Sequence, residues 1–479
     1  MPLGPEYRAN PSFRSLGDAF FDLVDAARFP EHRLRFRNQR AAGRVGLAEL
    51  TDAEWIDHFG RFHALPGNLP EPLALRYHGH QFQSYNPDLG DGRGFLFAQL
   101  LDCVDGRLLD LGTKGSGQTP WSRMGDGRLT LKGGVREVLA TELLEALGVY
   151  TSRSFSLIET GEGLERGDEP SPTRSSVLVR LSHSHIRFGS FQRHAFYDDA
   201  DSIERLLDYT IANYIPDLRA LRDSASVSAF LTRVCERTAG LAASWYVAGF
   251  VHGVLNTDNM NVTGESFDYG PFRFLPTLDV NFVAAYFDQT GLYAFGSQPS
   301  ILGWNLARLG EALRPVCDAA PLLEALQRYE PTFQRALQDK LAARLGLSPR
   351  KGAAPERLVE AVFGFLSSSQ VGFERFFFDW YGGLASEPRA RLSDEADRYV
   401  GPDFDALKAA FGDYDTAPTA QPEHPYFERG EPCTLLIDEV EAIWDPIADR
   451  DDWGLFERKL RQIDEMRAAL AAAKAVSQT

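Results

Sequence analysis

The stretch HGVLNTDNMNV, from His252 to Val262, carries one carboxylate, Asp258, directly before a side-chain amide, Asn259. A second carboxylate, Asp268, opens the tripeptide Asp268-Tyr269-Gly270 between two apolar segments a few residues later. Oxygen donors of this kind suit Mg2+ (with Mn2+ as the alternative), which takes one or two protein oxygens and leaves its other positions to water or phosphate. Upstream, Lys114, Arg180 and Arg187 supply cations, and a guanidinium can grip phosphate through two nitrogens at once. Gly90, Gly92 and Gly94 in DLGDGRGF stand just before an apolar run, where residues without a side chain let backbone N–H groups approach phosphates. These are the parts that phosphoryl or nucleotidyl transfer requires, because the protein's task there is positioning and charge neutralisation.

Each part must sit on an element that aims it. Taken singly, a surface Lys, a surface Glu or a glycine turn is the simpler reading, but their order along the chain is that of a protein kinase. Lys114 lies late in an apolar run read as a strand, and Glu137 lies in the first turn of the helix that follows, where the two can form an ion pair. The loop and the Asp-Tyr-Gly then follow as a kinase's catalytic loop and Asp-Phe-Gly do. At the position of a kinase's proton-accepting Asp stands Val254, which leaves Asp258 as the candidate base, against the plainer reading of an Asp that caps a turn. Asn259 and Asp268 are the candidate metal ligands. The order predicts an α+β, bilobal, protein-kinase-like fold with a strand-rich N-lobe, a helical C-lobe and extensions at both ends.

The local patterns supply those elements. GFLFAQLLD (94–102) and RLLDLGTKG (107–115) are apolar runs joined across Asp105-Gly106, a hairpin signal. Val135, Val138, Leu139, Leu143, Leu144 and Leu147 recur at helical spacing, with Gly148 as the stop. TSRSFSLIET and SSVLVRLS read as two further strands. From about Asp201 the chain turns helical, through DSIERLLDYTIANYI and FLTRVCERTAGLAASWYVAGF, the second running into the 252–262 loop. FERFFFDWYGG, from Phe373, reads as core of the helical lobe. YDTAPTAQPEHPYFERGEP reads as a loop. DDWGLFERKLRQIDEMRAAL reads as an amphipathic helix whose Trp453, Phe456, Leu460, Ile463 and Leu470 stripe is packing rather than a partner site. The expected divisions are 1–70, an N-terminal extension packing on the core; 71–181, a nucleotide-binding N-lobe; 182–385, the helical C-lobe with loop and metal ligands; and 386–479, a mostly helical C-terminal extension.

Bulk properties narrow the function. The chain has 479 residues, 44% hydrophobic and 24% charged, with a net charge of −17 from 50 basic and 67 acidic residues. So acidic a chain offers no basic face for nucleic-acid phosphates, which argues against a nucleic-acid partner. Four scattered cysteines form no C-x-x-C, which argues for a reducing compartment. MPLGPEYRANPSF has no apolar stretch of signal-peptide type, and the longest uncharged apolar run, Ala239 to Val251, is too short to span a bilayer. A cytoplasmic monomer without membrane contact is expected. His78/His80 and His183/His185 could each present two imidazoles on one face of a strand, but with no third ligand at suitable spacing a structural role is the better reading.

The stretches YHGHQFQSYNPDLGDGRG, LGTKGSGQTPWSRMGDGR, REVLATELLEALGV, RLSHSHIRFGSF, HGVLNTDNMNV, DYGPF and QPSILGWNLARL together resemble the selenoprotein O (SelO) family, over roughly residues 70 to 310. That family consists of pseudokinases that act as protein adenylyltransferases. The resemblance implies a kinase fold that binds ATP in reversed orientation. Lys114, Arg180 and Arg187 would then hold the far phosphates, and Gly90, Gly92, Arg93, Asp126 and Gly127 would line the nucleotide site. Asn259 and Asp268 would bind the metal and Asp258 would serve as base, so that AMP passes to hydroxyl side chains of proteins and pyrophosphate leaves. Two departures stand out: the chain ends AAAKAVSQT without a terminal cysteine or selenocysteine, and the activation-segment cysteine position aligns with Ala284, so redox control of the family type is not expected. Residues after about 385 follow the family pattern poorly. Two rivals remain, an atypical kinase that transfers the γ-phosphate and a nucleotide-binding scaffold without activity; which part of ATP labels an acceptor, and whether Mg-ATP shifts the melting temperature, separate them.

Overall fold

The Asp105-Gly106 turn closes the hairpin read from the sequence: Leu96–Leu101 and Leu108–Lys114 pair antiparallel, and Gly106 takes the left-handed conformation such a turn needs, φ 71°. The computed structural model describes residues 3–167, 169–221 and 223–474. The chain is α+β, an antiparallel sheet followed by a helical region. The sheet runs Phe21–Leu23, Leu73–Leu75, Leu96–Leu101, Leu108–Lys114, Thr173–Ser182, Arg153–Leu164, Arg33–Arg37, and the short Leu129–Thr130 strand also pairs with Thr173–Ser182. Both outer strands come from before residue 70, so the N-terminal segment is woven into the sheet as well as packed on it.

The two-residue period of the strands assigns each face. Leu109, Leu111, Val177 and Val179 point to one side and share a core with Trp55, Phe59 and Phe155, so the N-terminal helices cover that face. Leu108 and Leu178 point to the other side, into the core that contains Val135, Val138 and Leu139 of the Leu131–Ala146 helix. Thr130 caps this helix by accepting from Gly133 N, and Gly148, at φ 86°, takes the chain out of it.

Beyond Ser182 the chain is mainly helical. Asp223–Val247 is the central helix, packed by Gln298–Ala312, Ala319–Leu326 and Tyr329–Arg344. Phe373–Asp379 buries Phe373, Phe376, Phe377 and Phe378, in agreement with the reading of that cluster as core. Residues 414–432 are irregular apart from a bridge from Thr416 to Leu347 and a short 3-10 turn, Pro425–Glu428. The last helix, Gly454–Lys474, lies along Leu131–Ala146 and buries Phe456, Ile463, Met466 and Leu470, so its apolar stripe is packing. The final residues, 475–479, on which the terminal departure from the family was read, lie outside the described residues. Among the described residues no helix is long and apolar enough to cross a membrane.

Candidate functional site

Strand register brings the first cations together. Lys114 is the partner of Leu178 and Gly112 is the partner of Arg180 in the antiparallel pair Leu108–Lys114 and Thr173–Ser182. Lys114 and Arg180 therefore project from the same face of neighbouring strands. That face borders a cleft of about 880 Å³, lined by Gly90, Gly92, Arg93, Lys114, Asp126, Gly127, Glu137, Arg180, Arg187, Asp258 and Asp268. Eleven of the twelve residues singled out from the sequence thus line one cavity. The twelfth, Asn259, is not on its wall and sits directly behind Asp258 in the loop.

Lys114 is the hub. Its Nζ lies 2.5 Å from Glu137 Oε1 and also pairs with Asp268 Oδ1, while Arg180 Nη1 reaches the same Asp268 oxygen at 3.4 Å. Lys114 and Glu137 are buried, whereas the Asp268 side chain is 25% exposed toward the cleft. Burial alone would raise the Asp268 pKa, but Lys114, Arg180 and Arg93 outweigh it and hold the carboxyl well below its ordinary value. Asp268 also sits at φ 65°, a conformation that costs a non-glycine residue energy and is held by its surroundings. Tyr269 is buried behind it, its hydroxyl 2.5 Å from Thr151 Oγ1.

Arg187 joins sheet and loop. Its Nη1 donates to the Asp258 carbonyl at 2.9 Å and its Nη2 to Asp91 Oδ1 at 3.2 Å, with the guanidinium 4.4 Å from the Tyr77 ring and 5.0 Å from that of Phe267. The loop is fixed from behind by His252, whose Nε2 contacts Phe267 O at 2.9 Å and whose N–H donates to Gln298 Oε1, and by Asn305, which donates to Leu255 O. Arg187 holds Asp258 through its backbone carbonyl. Its Oδ1 is buried without a hydrogen-bond partner, and burial pushes the carboxyl up to about 6 although Arg187 pulls the other way. A carboxyl that titrates near neutrality beside a set of phosphate-type cations is equipped to take a proton.

Two oxygen donors of the kind Mg2+ takes lie at the cleft or next to it in the chain. Asn259 Nδ2 donates to Val254 O at 3.0 Å, which turns the amide oxygen away from that bond and leaves it free to ligate, and Asp268 supplies an ionised oxygen. Among the described residues no three His, Cys, Asp or Glu side chains gather as a metal-binding cluster. One carboxylate and one amide would be completed by substrate phosphates, as is common for Mg2+.

Several contacts were invisible in the sequence. Tyr77 and Asp91 position Arg187, and Asp91 is further fixed by accepting from Leu75 N at 3.1 Å. A Cβ added at Gly79 would stand 3.1 Å from Asp258 Oδ1, so a glycine lets the 79–81 strand lie against Asp258. Gly90 and Gly92 have a further constraint that the sequence did not show: a Cβ at Gly90 would come within 2.3 Å of the Trp121 ring, and one at Gly92 within 2.8 Å of Trp121 O, so glycine lets the 117–127 loop pack against this segment. Asp126 accepts from Arg166 Nη1 at 2.8 Å and from Arg128 N at 2.9 Å, which fixes that loop's far end. The four histidines are spent on protein partners: His78 on Tyr85 and Arg193, His80 on Gln192, His183 on Tyr150, His185 on Asp110.

The chain belongs to the SelO family: the model described as protein adenylyltransferase SelO matches residues 6–464. It is 47% identical over 468 residues to the protein nucleotidyltransferase YdiU of Synechocystis sp., covering 95% of this chain and 97% of that protein. Against the protein of the same name from Gloeobacter violaceus it is 46% identical over 459 residues, 93% and 92% of the two chains. Against that from Vibrio cholerae it is 38% identical over 364 residues, 76% and 73%. The family match continues past residue 385, which corrects the expectation that the C-terminal part departs from the family. Amphipathic helices constrain which face is apolar more than which residue stands there, so a reading by short motifs undervalues them.

Proposed function

We propose that this enzyme, a nucleotidyltransferase of the SelO family, transfers AMP from ATP to Ser, Thr or Tyr hydroxyls of proteins, with ATP lying reversed in the cleft of a bilobal kinase-like fold. Residues 71–181 form its nucleotide-binding lobe and 182–385 its helical lobe, flanked by the 1–70 and 386–479 segments. Lys114, Arg180 and Arg187 hold the far phosphates, and the 90–93 and 126–127 loops enclose the nucleotide. Asn259 and Asp268 hold Mg2+ or Mn2+, which neutralises phosphate charge when bound. The acceptor oxygen attacks the α-phosphorus as its proton passes to the Asp258 carboxylate. The bond from the α-phosphorus to the α,β-bridging oxygen breaks, and pyrophosphate leaves with that electron pair.

The observation that carries this reading is the contrast between Val254 and Asp258. A side chain unable to accept a proton stands where a kinase has its base, while a buried carboxyl with an unpartnered oxygen and a pKa near 6 stands four residues on, at the same cleft as the three cations. Intact-mass analysis of the protein and a protein acceptor after incubation with Mg-ATP tests it. An added AMP is expected; an added phosphate instead would make the enzyme an atypical kinase. Val254→Asp should not restore γ-phosphate transfer, because the cations would still aim the α-phosphorus at the acceptor.

A further inference from the structure

A two-stranded hairpin, Gly79–Gln81 with Ser84–Asn86, connects the reacting centre to the outer surface. Its start lies against Asp258, its Gln81 lines the cleft, and its turn is Phe82-Gln83. Two bonds clamp it to the loop that carries Asp258, His80 N donating to Thr257 Oγ1 at 2.7 Å and Phe82 N to Asn256 Oδ1 at 3.2 Å, and Phe82 N also donates to Tyr293 Oη at 3.1 Å. Tyr293 in turn donates to Asn256 Oδ1 at 2.8 Å.

The turn is chemically odd. Phe82 and Gln83 both sit in the left-handed region, at φ 49° and 62°. A two-residue hairpin turn of that shape favours Asn or Gly, and a bulky aromatic is among its worst occupants. Its ring packs on buried Tyr293, with centroids 5.0 Å apart, yet Phe82 stays 39% exposed. Its ring lies 6.0 Å from that of Phe287, which is 44% exposed and is 5.2 Å from the ring of Tyr286, 82% exposed. Folding by itself would favour glycine at position 82 and polar residues at 286 and 287.

We infer that Phe82, Phe287 and Tyr286 form the acceptor-docking surface of the enzyme, taking an apolar or aromatic side chain of the acceptor polypeptide that flanks the modified hydroxyl. This rests on the proposed AMP transfer at Asp258. The occupant follows from continuity: the hairpin that carries Phe82 is bonded through its backbone to Asn256 and Thr257, so a segment seated on the rings presents its neighbouring residues to Asp258. From Gly79 to Phe82 is three residues, about 10 Å at about 3.3 Å each, so the apolar side chain stands about three positions from the hydroxyl of an extended acceptor. Removing an aromatic anchor of this kind typically weakens docking by about tenfold.

Phe82→Gly is the decisive variant, because glycine suits the turn better than phenylalanine and the hairpin keeps its shape. A degenerate peptide library with one fixed Ser, Thr or Tyr, incubated with Mg-ATP and read by mass spectrometry, should be enriched for aromatic or aliphatic residues about three positions from the labelled hydroxyl. For the best peptide, Phe82→Gly and Phe287→Ser should raise KM by about tenfold with little change in kcat, while the thermal shift with Mg-ATP stays as in the wild type. Labelling without any flanking preference, or an unchanged KM in both variants, overturns the docking surface and leaves AMP transfer standing. Phosphate labelling in place of AMP overturns the proposed function and the docking inference with it. A wild-type dimer that Phe82→Gly dissociates would assign the rings to a second copy of the chain and overturn the inference.

Discussion

The Leu131–Ala146 helix carries acidic residues in two ion-pair groups, and the two are built on opposite plans. Toward the cleft, Glu137 has a single cation, Lys114, which it shares with Asp268, and its Oε2 is buried without a partner. Two turns further on, Glu142 and Glu145 are surrounded. Arg40 reaches Glu142 at 3.0 Å and Glu145 at 2.5 Å, Arg153 reaches Glu145 at 2.7 Å, and Arg467 of the last helix pairs with Glu142 and donates to its carbonyl at 3.1 Å. Burial opposes the charge of Glu145, yet Arg153 and Arg40 pull its carboxyl down to about 2. The first cluster leaves capacity that an incoming phosphate or metal could take up. The second is closed, and it ties the N-terminal, central and C-terminal parts of the chain to one helix. A binding site needs groups held in place but incompletely satisfied, whereas a clamp needs them satisfied.

The largest effect should follow from opening the cleft end. Lys114→Ala strands Glu137 and Asp268 together, and breaking a buried ion pair by removing one partner costs about 3–5 kcal/mol. Denaturant unfolding should show that loss, and AMP transfer should vanish; an unchanged unfolding midpoint would mean that Lys114 is not the hub it looks to be.

Asp258 sharpens the comparison, because its Oδ1 is buried with no hydrogen-bond partner among the described residues. Asp258→Ala should keep Mg-ATP binding and lose about 10²- to 10⁴-fold in transfer rate, whereas Asp268→Ala should lose metal-dependent binding as well. Transfer at the wild-type rate in Asp258→Ala would sink the base assignment. The pH signs run in opposite directions. Its folded pKa of about 6 lies above that of the unfolded chain, so the protein loses stability as pH rises from about 4 through 6, by about 3 kcal/mol at most. Transfer, which needs the carboxylate, should rise over the same range. Asp258→Asn should therefore melt higher than wild type at pH 7 and no longer lose stability across that window.

Smaller losses are expected from the guanidinium groups. Arg180→Ala or Arg187→Ala should weaken Mg-ATP binding or turnover by more than the about 1 kcal/mol of an exposed charge pair; unaltered values in both would remove them from the site. Asp91→Asn tests how Arg187 is positioned and should mimic a fraction of that loss. At the clamp end, Arg467→Ala should lower stability by about 1–3 kcal/mol while Mg-ATP affinity stays close to wild type. A collapse of ATP binding there would show that the C-terminal helix governs the cleft rather than merely bracing it.

What could be read from the sequence was whatever a short window encodes. Two apolar runs and an Asp-Gly turn specify the hairpin that ends in Lys114, the 3.6-residue repeat specifies the helix that carries Glu137, and spacing marked Asp258, Asn259 and Asp268. Tertiary structure decided everything that depends on which distant surface meets which. The sheet takes both edge strands from before residue 70, Asp91 reaches Arg187 across 96 positions, and the last helix closes on Glu142 across 325. It also added a constraint on Gly90 and Gly92, the close approach of Trp121, that no short window shows. A residue's conformational preference acts through its neighbours in the chain and so is written locally. Burial, which leaves Asp258 Oδ1 without a partner and moves its pKa into the useful range, is a property of the assembled whole.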